Sequence, residues 1–419
     1  MLDNQASPRL FRYRLLLIAA FLVACGAMPW ARGEARSGGE GHARVKTGID
    51  VLEGQHFAAL RGKRVGLVTN QTGVDSKGRR TIDVLAHAEG VKLVAIFSPE
   101  HGVAGKVENA NVANATDSAT GLPVYSLYGE ARRPTGEMLA NVDALVFDIQ
   151  DAGVRFYTYI TTMGYAMEEA AKRRIAFFVL DRPNPLGGEV IEGPMLDRDR
   201  LSFVGYFPMP VRYAMTMGEL APMFNAENKI GADLHIIAME DWNRSEIFSD
   251  TGLPWIPPSP NLRTLNETFL YPGIEPLQAG GVSVGRGTDT PFELFGAPWM
   301  VAADVAAELN RRGIPGVRFA TTLFTPGDGL YKDQYCQGVS MTLADRASLR
   351  SMRMGMEIAD TLHRMYPRQF QLEKMTFLLG SQSTLDRLNH GDSPKEIVES
   401  WAPDLGKFGA MRQKYLVYH

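Results

Sequence analysis

The chain has 419 residues, 45% hydrophobic and 22% charged, an ordinary globular balance with length for two or three domains. A net charge of −3, with no acidic or basic tail, argues against a nucleic-acid partner. Only two cysteines occur, so stability has to come from a packed core rather than a disulfide framework.

The first segment reads as an export signal. Arg9, Arg12 and Arg14 form a positive region ahead of the apolar run Leu15–Ala24. The run ends in Leu22-Val23-Ala24-Cys25-Gly26, which resembles a bacterial lipobox, with Cys25 as the lipidated residue after cleavage. Ordinary cleavage near Ala27 or Ala31 is the alternative. Residues 1–25 are therefore expected to be a signal peptide, and the polar, Gly-rich 26–45 a flexible tether. The protein is expected outside the cytoplasm, in the periplasm or at the cell surface, touching membrane only through that lipid.

From residue 63 onward short Val-rich runs alternate with helical patterns. Lys63–Val68, Val91–Phe97, Asp143–Phe147, Ile175–Leu180 and Leu234–Ala238 read as buried strands. Thr81–Ala88, Met163–Arg174 and Met217–Asn228 read as helices between them. Such alternation predicts an α/β fold: a Rossmann-like parallel sheet domain over 46–255. The Pro-rich stretch Gly252–Gly273 reads as a boundary segment. Beyond it, helical Val301–Arg312, alternating Val317–Phe324 and Gly338–Ala344, and helical Leu349–Met365 predict a second, smaller α+β domain over 256–419.

Four of the predicted strands end in polar, chain-bending sequences: Thr69–Gly73, Ser98–Gly102, Asp148–Gly153 and Asp181–Pro185. In a parallel sheet these ends share one edge, where ligands bind. They would gather Asn70, Glu100, His101, Asp148, Asp151 and Asn184, a set suited to holding a polyhydroxylated ligand and moving a proton. Asp148 and Asp181 could equally cap a helix or pin a loop, and Gln150 reads as loop scaffolding.

Paired carboxylates suit glycoside hydrolysis, in which one protonated acid serves the leaving oxygen and a second carboxylate serves water or the sugar carbon. Glu100 is the expected general acid, because Pro99 and the apolar strand would partly desolvate it. Asp151 or Asp148 would stay ionised, steadied by Arg155. Tyr157, within Arg155-Phe156-Tyr157-Thr158-Tyr159, offers a ring and a phenol to a sugar. The Gly-rich Gly281–Trp299 presents Arg286 to an anion. It also contains a literal G-x-S-x-G around Ser283, but a poor helix former follows, against a nucleophile elbow. No dinucleotide, P-loop or zinc motif is present in the sequence, and no cofactor is called for.

TNQTG, FSPEHG, FDIQDAGVRFYTY, DRPNP, EGP, PVRYAMTMGELA, PPSPN, SVGRGTDTPFE, GAPW, YCQGV and RQKYLVY, in that order from about Gly48 to His419, resemble the peptidoglycan exo-β-N-acetylmuramidase family, formerly a domain of unknown function. The resemblance implies a Rossmann-like domain, a smaller C-terminal domain and a site in the cleft between them. It further implies release of N-acetylmuramic acid from the non-reducing end of peptidoglycan fragments. Carried over, the PEHG motif gives Glu100 and His101, DIQD gives Asp148 and Asp151, PPSPN gives Asn261 and GRGT gives Arg286. Arg286 or Arg155 would select the lactyl carboxylate. One departure stands out: where the family often has a Glu-Gly-Thr-Asn-like stretch, this chain reads Gln278-Ala279-Gly280-Gly281. Two competing readings are a cell-surface lipoprotein that binds cell-wall sugars without turnover, and a serine esterase at Ser283.

Overall fold

In the computed structural model the described residues are 45–107 and 113–419. The predicted leader and Cys25 lie outside them. Strands β1 (Arg64–Thr69), β2 (Lys92–Ser98), β3 (Ala115–Thr116), β4 (Pro123–Ser126), β5 (Ala144–Asp148) and β6 (Ala176–Leu180) come first. A ribbon of β7 (Glu192–Met195) and β8 (Pro210–Arg212) follows, then β9 (Leu234–Ile237). The main sheet has seven strands in the order β3-β4-β2-β1-β5-β6-β9. All its pairings are parallel except that of β3 with β4.

Successive residues of these strands serve two different cores, as a sheet covered on both faces requires. Phe97, Leu145, Phe147, Phe177 and Val179 join one cluster, while Ile96, Ala144, Val146, Phe178 and Leu180 join the other. The first cluster takes in the Tyr159–Arg173 and Met217–Glu227 helices and runs on through Leu270, Phe295, Met352 and Phe408. One apolar core thus continues past residue 255, and the described residues fall within one compact unit.

The C-terminal half carries an antiparallel sheet of β10 (Leu294–Ala297), β11 (Val317–Phe324) and β12 (Cys336–Leu343), with β12 in the middle. The Pro-rich stretch Gly252–Gly273 is irregular up to Thr264 and helical beyond it. A helix begins inside it, at Leu265, and runs to Ala279 despite Pro272 and Pro276. Proline removes a helical donor, but this helix is buried along Glu267–Leu277, and packing outweighs propensity there. It crosses the Ser351–Met365 helix at Gly273 and Gly355, where a Cβ on Gly273 would sit 2.0 Å from the Ser351 carbonyl oxygen.

The chain end is stitched back to the sheet. The Tyr418 hydroxyl donates to Asp181 Oδ2 (2.6 Å), and Arg412 donates to the Ala214 carbonyl (2.6 Å). Asp181 also accepts from the Thr216 hydroxyl and the Gly218 amide, each at 2.7 Å, which fixes the start of the Met217–Glu227 helix.

Candidate active site

The chain leaves β1 for β2 on one side of the sheet and later for β5 on the other. This reversal opens a crevice at the carboxyl ends of the strands. The loop after β2 projects Glu100 there. His101 (φ +70°) and Gly102 (φ +74°) both take left-handed backbone conformations, and a non-glycine residue at positive φ is costly unless its surroundings impose it. The surroundings do so here: His101 Nδ1 lies 2.8 Å from the Val107 carbonyl oxygen, and the Val107 amide donates to the His101 carbonyl at 3.2 Å.

Glu100 and His101 line a cleft of about 490 Å³. The Thr158 hydroxyl donates to Glu100 Oε2 at 2.6 Å. The Tyr128 phenol lies close by; burial first, then the Glu100 charge, pushes it above its usual range. Tyr157, Tyr271 and Phe292 form aromatic walls, with Tyr271 and Phe292 edge to face at 4.8 Å between centroids. From the Leu265–Ala279 helix come Glu275 and Gln278, three residues apart and so on one face. Arg286 joins them. Its Nη2 lies 2.6 Å from Glu275 Oε1, its Nε donates to Gln278 Oε1 at 3.0 Å, and its guanidinium stands 5.2 Å from the Phe292 ring centroid.

Of the residues expected from the sequence, the structure brings Glu100, His101, Tyr157 and Arg286 to this cleft. The others hold the frame instead. Asp148 is fully buried, in an ion pair with Arg182 (Nε–Oδ1 2.6 Å), and accepts from the Thr81 hydroxyl; its charge ties three loops together rather than facing the cleft. Asn70 folds its own turn, its Oδ1 accepting from the Thr72 amide (2.9 Å) and hydroxyl (2.6 Å). Asn184 is buried between the Met215 carbonyl and the Leu186 amide. Asn261, also buried, accepts from the Gly287 amide at 3.2 Å and so positions the loop that carries Arg286.

Arg155 is the largest correction. It is 0% exposed and supports neither aspartate; its two terminal nitrogens donate to the carbonyls of Pro194, Met209, Leu378 and Leu379 at 2.6–3.0 Å. Burial lowers its pKa to about 9. Ser283 is 2% exposed, bridges to Gly296 and accepts from the Gly285 amide; no helix follows it, so no nucleophile elbow exists here.

Asp151 is buried and does not line the cleft, its Oδ2 accepting from the Gly153 amide (2.7 Å) and the Tyr213 hydroxyl. Its Oδ1 has no hydrogen-bond partner among the described residues. Burial raises its pKa from 3.8 to about 6. The folded state therefore holds this proton more tightly than the unfolded state does. Its contribution to stability is full below pH 3.8 and is lost as pH rises through about 6. Asp151→Asn, which cannot ionise, should gain about 1–2 kcal/mol relative to the parent between pH 4.5 and pH 8. Urea unfolding at the two pH values measures this, and parallel pH dependences for both proteins would refute it.

The site roles of Glu275, Gln278, Thr158, Tyr128 and Tyr271 were not read from the sequence, where Gln278 stood out only as a departure from the family and Thr158 only within the aromatic run. The signal for the first two was Thr264-x-x-Glu267, a capping box in which each side chain bonds the other's backbone amide (Thr264 hydroxyl from Glu267 at 3.2 Å, Glu267 from Thr264 at 2.7 Å). Read as a helix start, it would have placed Glu275 and Gln278 on one face. A larger surface groove, about 830 Å³, lies elsewhere. Two of its cations are engaged by carboxylates, Arg79 by Glu53 and Asp75 and Arg80 by Asp83 and Asp117.

Residues 65–266 match the family described as exo-beta-N-acetylmuramidase NamZ, N-terminal, and residues 269–418 match its C-terminal counterpart. The chain is 42% identical over 407 residues to the peptidoglycan beta-N-acetylmuramidase NamZ of Bacillus subtilis strain 168, covering 96% of this chain and 97% of that protein. It is also similar to two crystal structures of DUF1343 family proteins from Bacteroides fragilis NCTC 9343. One has a TM-score of 0.83 at 40% identity and the other 0.74 at 30%, each covering 90% of this chain and 99% of the other.

Proposed function

The chain belongs to the exo-β-N-acetylmuramidase NamZ family, and from that premise we propose that it is an exo-acting glycoside hydrolase that releases N-acetylmuramic acid from the non-reducing end of peptidoglycan fragments. The observation that carries the reading is the placement of Glu100. A carboxyl group on a rigid loop, half-buried and hydrogen-bonded by Thr158, faces a cleft walled by aromatic rings and lined by a cation.

In the proposed reaction the Glu100 carboxyl gives its proton to the glycosidic oxygen as the bond to the anomeric carbon breaks. Water supplies the new oxygen at that carbon. Tyr157, Tyr271 and Phe292 present ring surface to the sugar. Arg286, whose guanidinium lines the cleft, offers a planar donor set to the lactyl carboxylate that distinguishes muramic acid from glucosamine. His101, fixed on the same loop, lies beside the acid. Arg155 has no part in this recognition.

Incubation with the disaccharide N-acetylmuramyl-β-1,4-N-acetylglucosamine, with and without a chelator, tests the proposal. Free N-acetylmuramic acid should appear at the same rate in both. An intact disaccharide that nonetheless binds would favour a capture protein. Export and lipid attachment at Cys25 belong to the same proposal, since they would bring the enzyme to its substrate. Incorporation of labelled fatty acid that is lost in Cys25→Ser would support attachment, and equal labelling of both forms would exclude it.

A further inference from the structure

Glu275 has the features of a reacting group rather than of a structural one. It is 8% exposed, yet it lines the cleft with Glu100. One of its oxygens is held by Arg286 at 2.6 Å. The other, Oε2, is buried and has no hydrogen-bond partner among the described residues. A buried carboxylate oxygen left unbonded costs free energy, and a substrate or water in the cleft is what would satisfy it.

We propose that Glu275 is the second catalytic carboxylate, its Oε2 accepting a proton from the water that attacks the anomeric carbon while Glu100 protonates the departing oxygen. This rests on the glycosidase reading above. One water O–H proton passes to Glu275, and the water oxygen bonds to the anomeric carbon. The electron pair of the broken glycosidic bond stays on the leaving oxygen, which takes the Glu100 proton. Glu100 ends ionised and Glu275 ends protonated; exchange with solvent resets both.

The net push on the Glu275 carboxyl is upward, which makes its carboxylate the stronger proton acceptor. Burial pushes the Glu275 carboxyl up, the Arg286 cation opposes that, and the negative charge of Glu100 adds to the upward push. The two carboxyl groups therefore sense each other, and the guanidinium bonded to Glu275 moderates the upward push. Gln278 binds the same guanidinium through a neutral amide and has no charge to contribute. A cleft of about 490 Å³ has room for a sugar ring and a water, which occupies about 30 Å³ in the liquid. Single displacement follows, so the β-linkage should yield the α-anomer first.

Four readouts test the assignment on the disaccharide. Glu275→Gln, nearly isosteric and still able to accept from Arg286, should lose about 10²–10⁴-fold in kcat with little change in KM. It should also lose the acid limb of the kcat/KM profile. Formate added to Glu275→Ala should restore part of the turnover, and early proton NMR of the wild-type digest should show the α-anomer ahead of equilibration. If Glu275 only anchors Arg286, Glu275→Gln will keep kcat and the acid limb and raise KM alone; that result, or the β-anomer first, overturns this inference by itself. A wild-type enzyme that releases no N-acetylmuramic acid overturns the glycosidase reading with it.

Discussion

Glu100→Gln is expected to cut turnover of the natural disaccharide by about 10²–10⁴-fold while leaving its binding nearly intact. The amide keeps the shape and can still accept the Thr158 hydroxyl, now at 2.6 Å from Glu100 Oε2, so the loop set by His101 and Val107 should not move. What disappears is the proton for the leaving oxygen. The loss should therefore depend on the leaving group. With 4-nitrophenolate, which departs without help, the variant should fall much less behind the parent than it does with N-acetylglucosamine. Equal losses on both substrates would mean that Glu100 acts in some other way. Stopped assays for kcat and KM, with calorimetry on the variant for binding, separate these cases.

Arg155→Met should be the most damaging single change to stability. The methionine fills much of the volume but removes the donors that serve the carbonyls of Pro194, Met209, Leu378 and Leu379. Each buried acceptor left without a donor costs about 1–3 kcal/mol before relaxation. Some will recover by admitting water, so a net loss of about 3–5 kcal/mol is expected. Arg155→Lys should fall between the two, since one ammonium cannot reach four carbonyls that a planar fork spans. Arg155 joins the β7–β8 ribbon to the Thr376–Leu379 helix, whose Phe377 and Leu378 line the cleft. Some loss of activity should accompany the loss of stability. Urea midpoints decide the matter: an unchanged midpoint with a tenfold higher KM would return Arg155 to substrate binding.

The parallel sheet was legible because its strands are buried on both faces and so read as unbroken apolar runs such as Ala144–Phe147. β11 was legible to the residue, its side chains alternating between core and solvent. The Leu265–Ala279 helix was hidden by Pro272 and Pro276, whose local cost is overridden by burial that only the tertiary fold reveals. The site was half legible for a related reason. Polar residues at strand ends mark the correct edge of the sheet, but the sequence does not say which of them turn inward. Glu100 follows Pro99 on a strained turn and faces outward, whereas Asp148, the last residue of β5, meets Arg182 and faces into the frame. Arg155 and Arg286 look alike as letters; only the four carbonyls around one and the cleft beside the other tell them apart.

Digestion of a long, peptide-free glycan strand, followed in time by mass spectrometry for the wild type and Glu100→Gln, tests the central claim most directly. The wild type should release free N-acetylmuramic acid as its first product and leave a strand shortened from the non-reducing end, and Glu100→Gln should release almost none. Mid-chain fragments at early times, or equal release by both proteins, would contradict it.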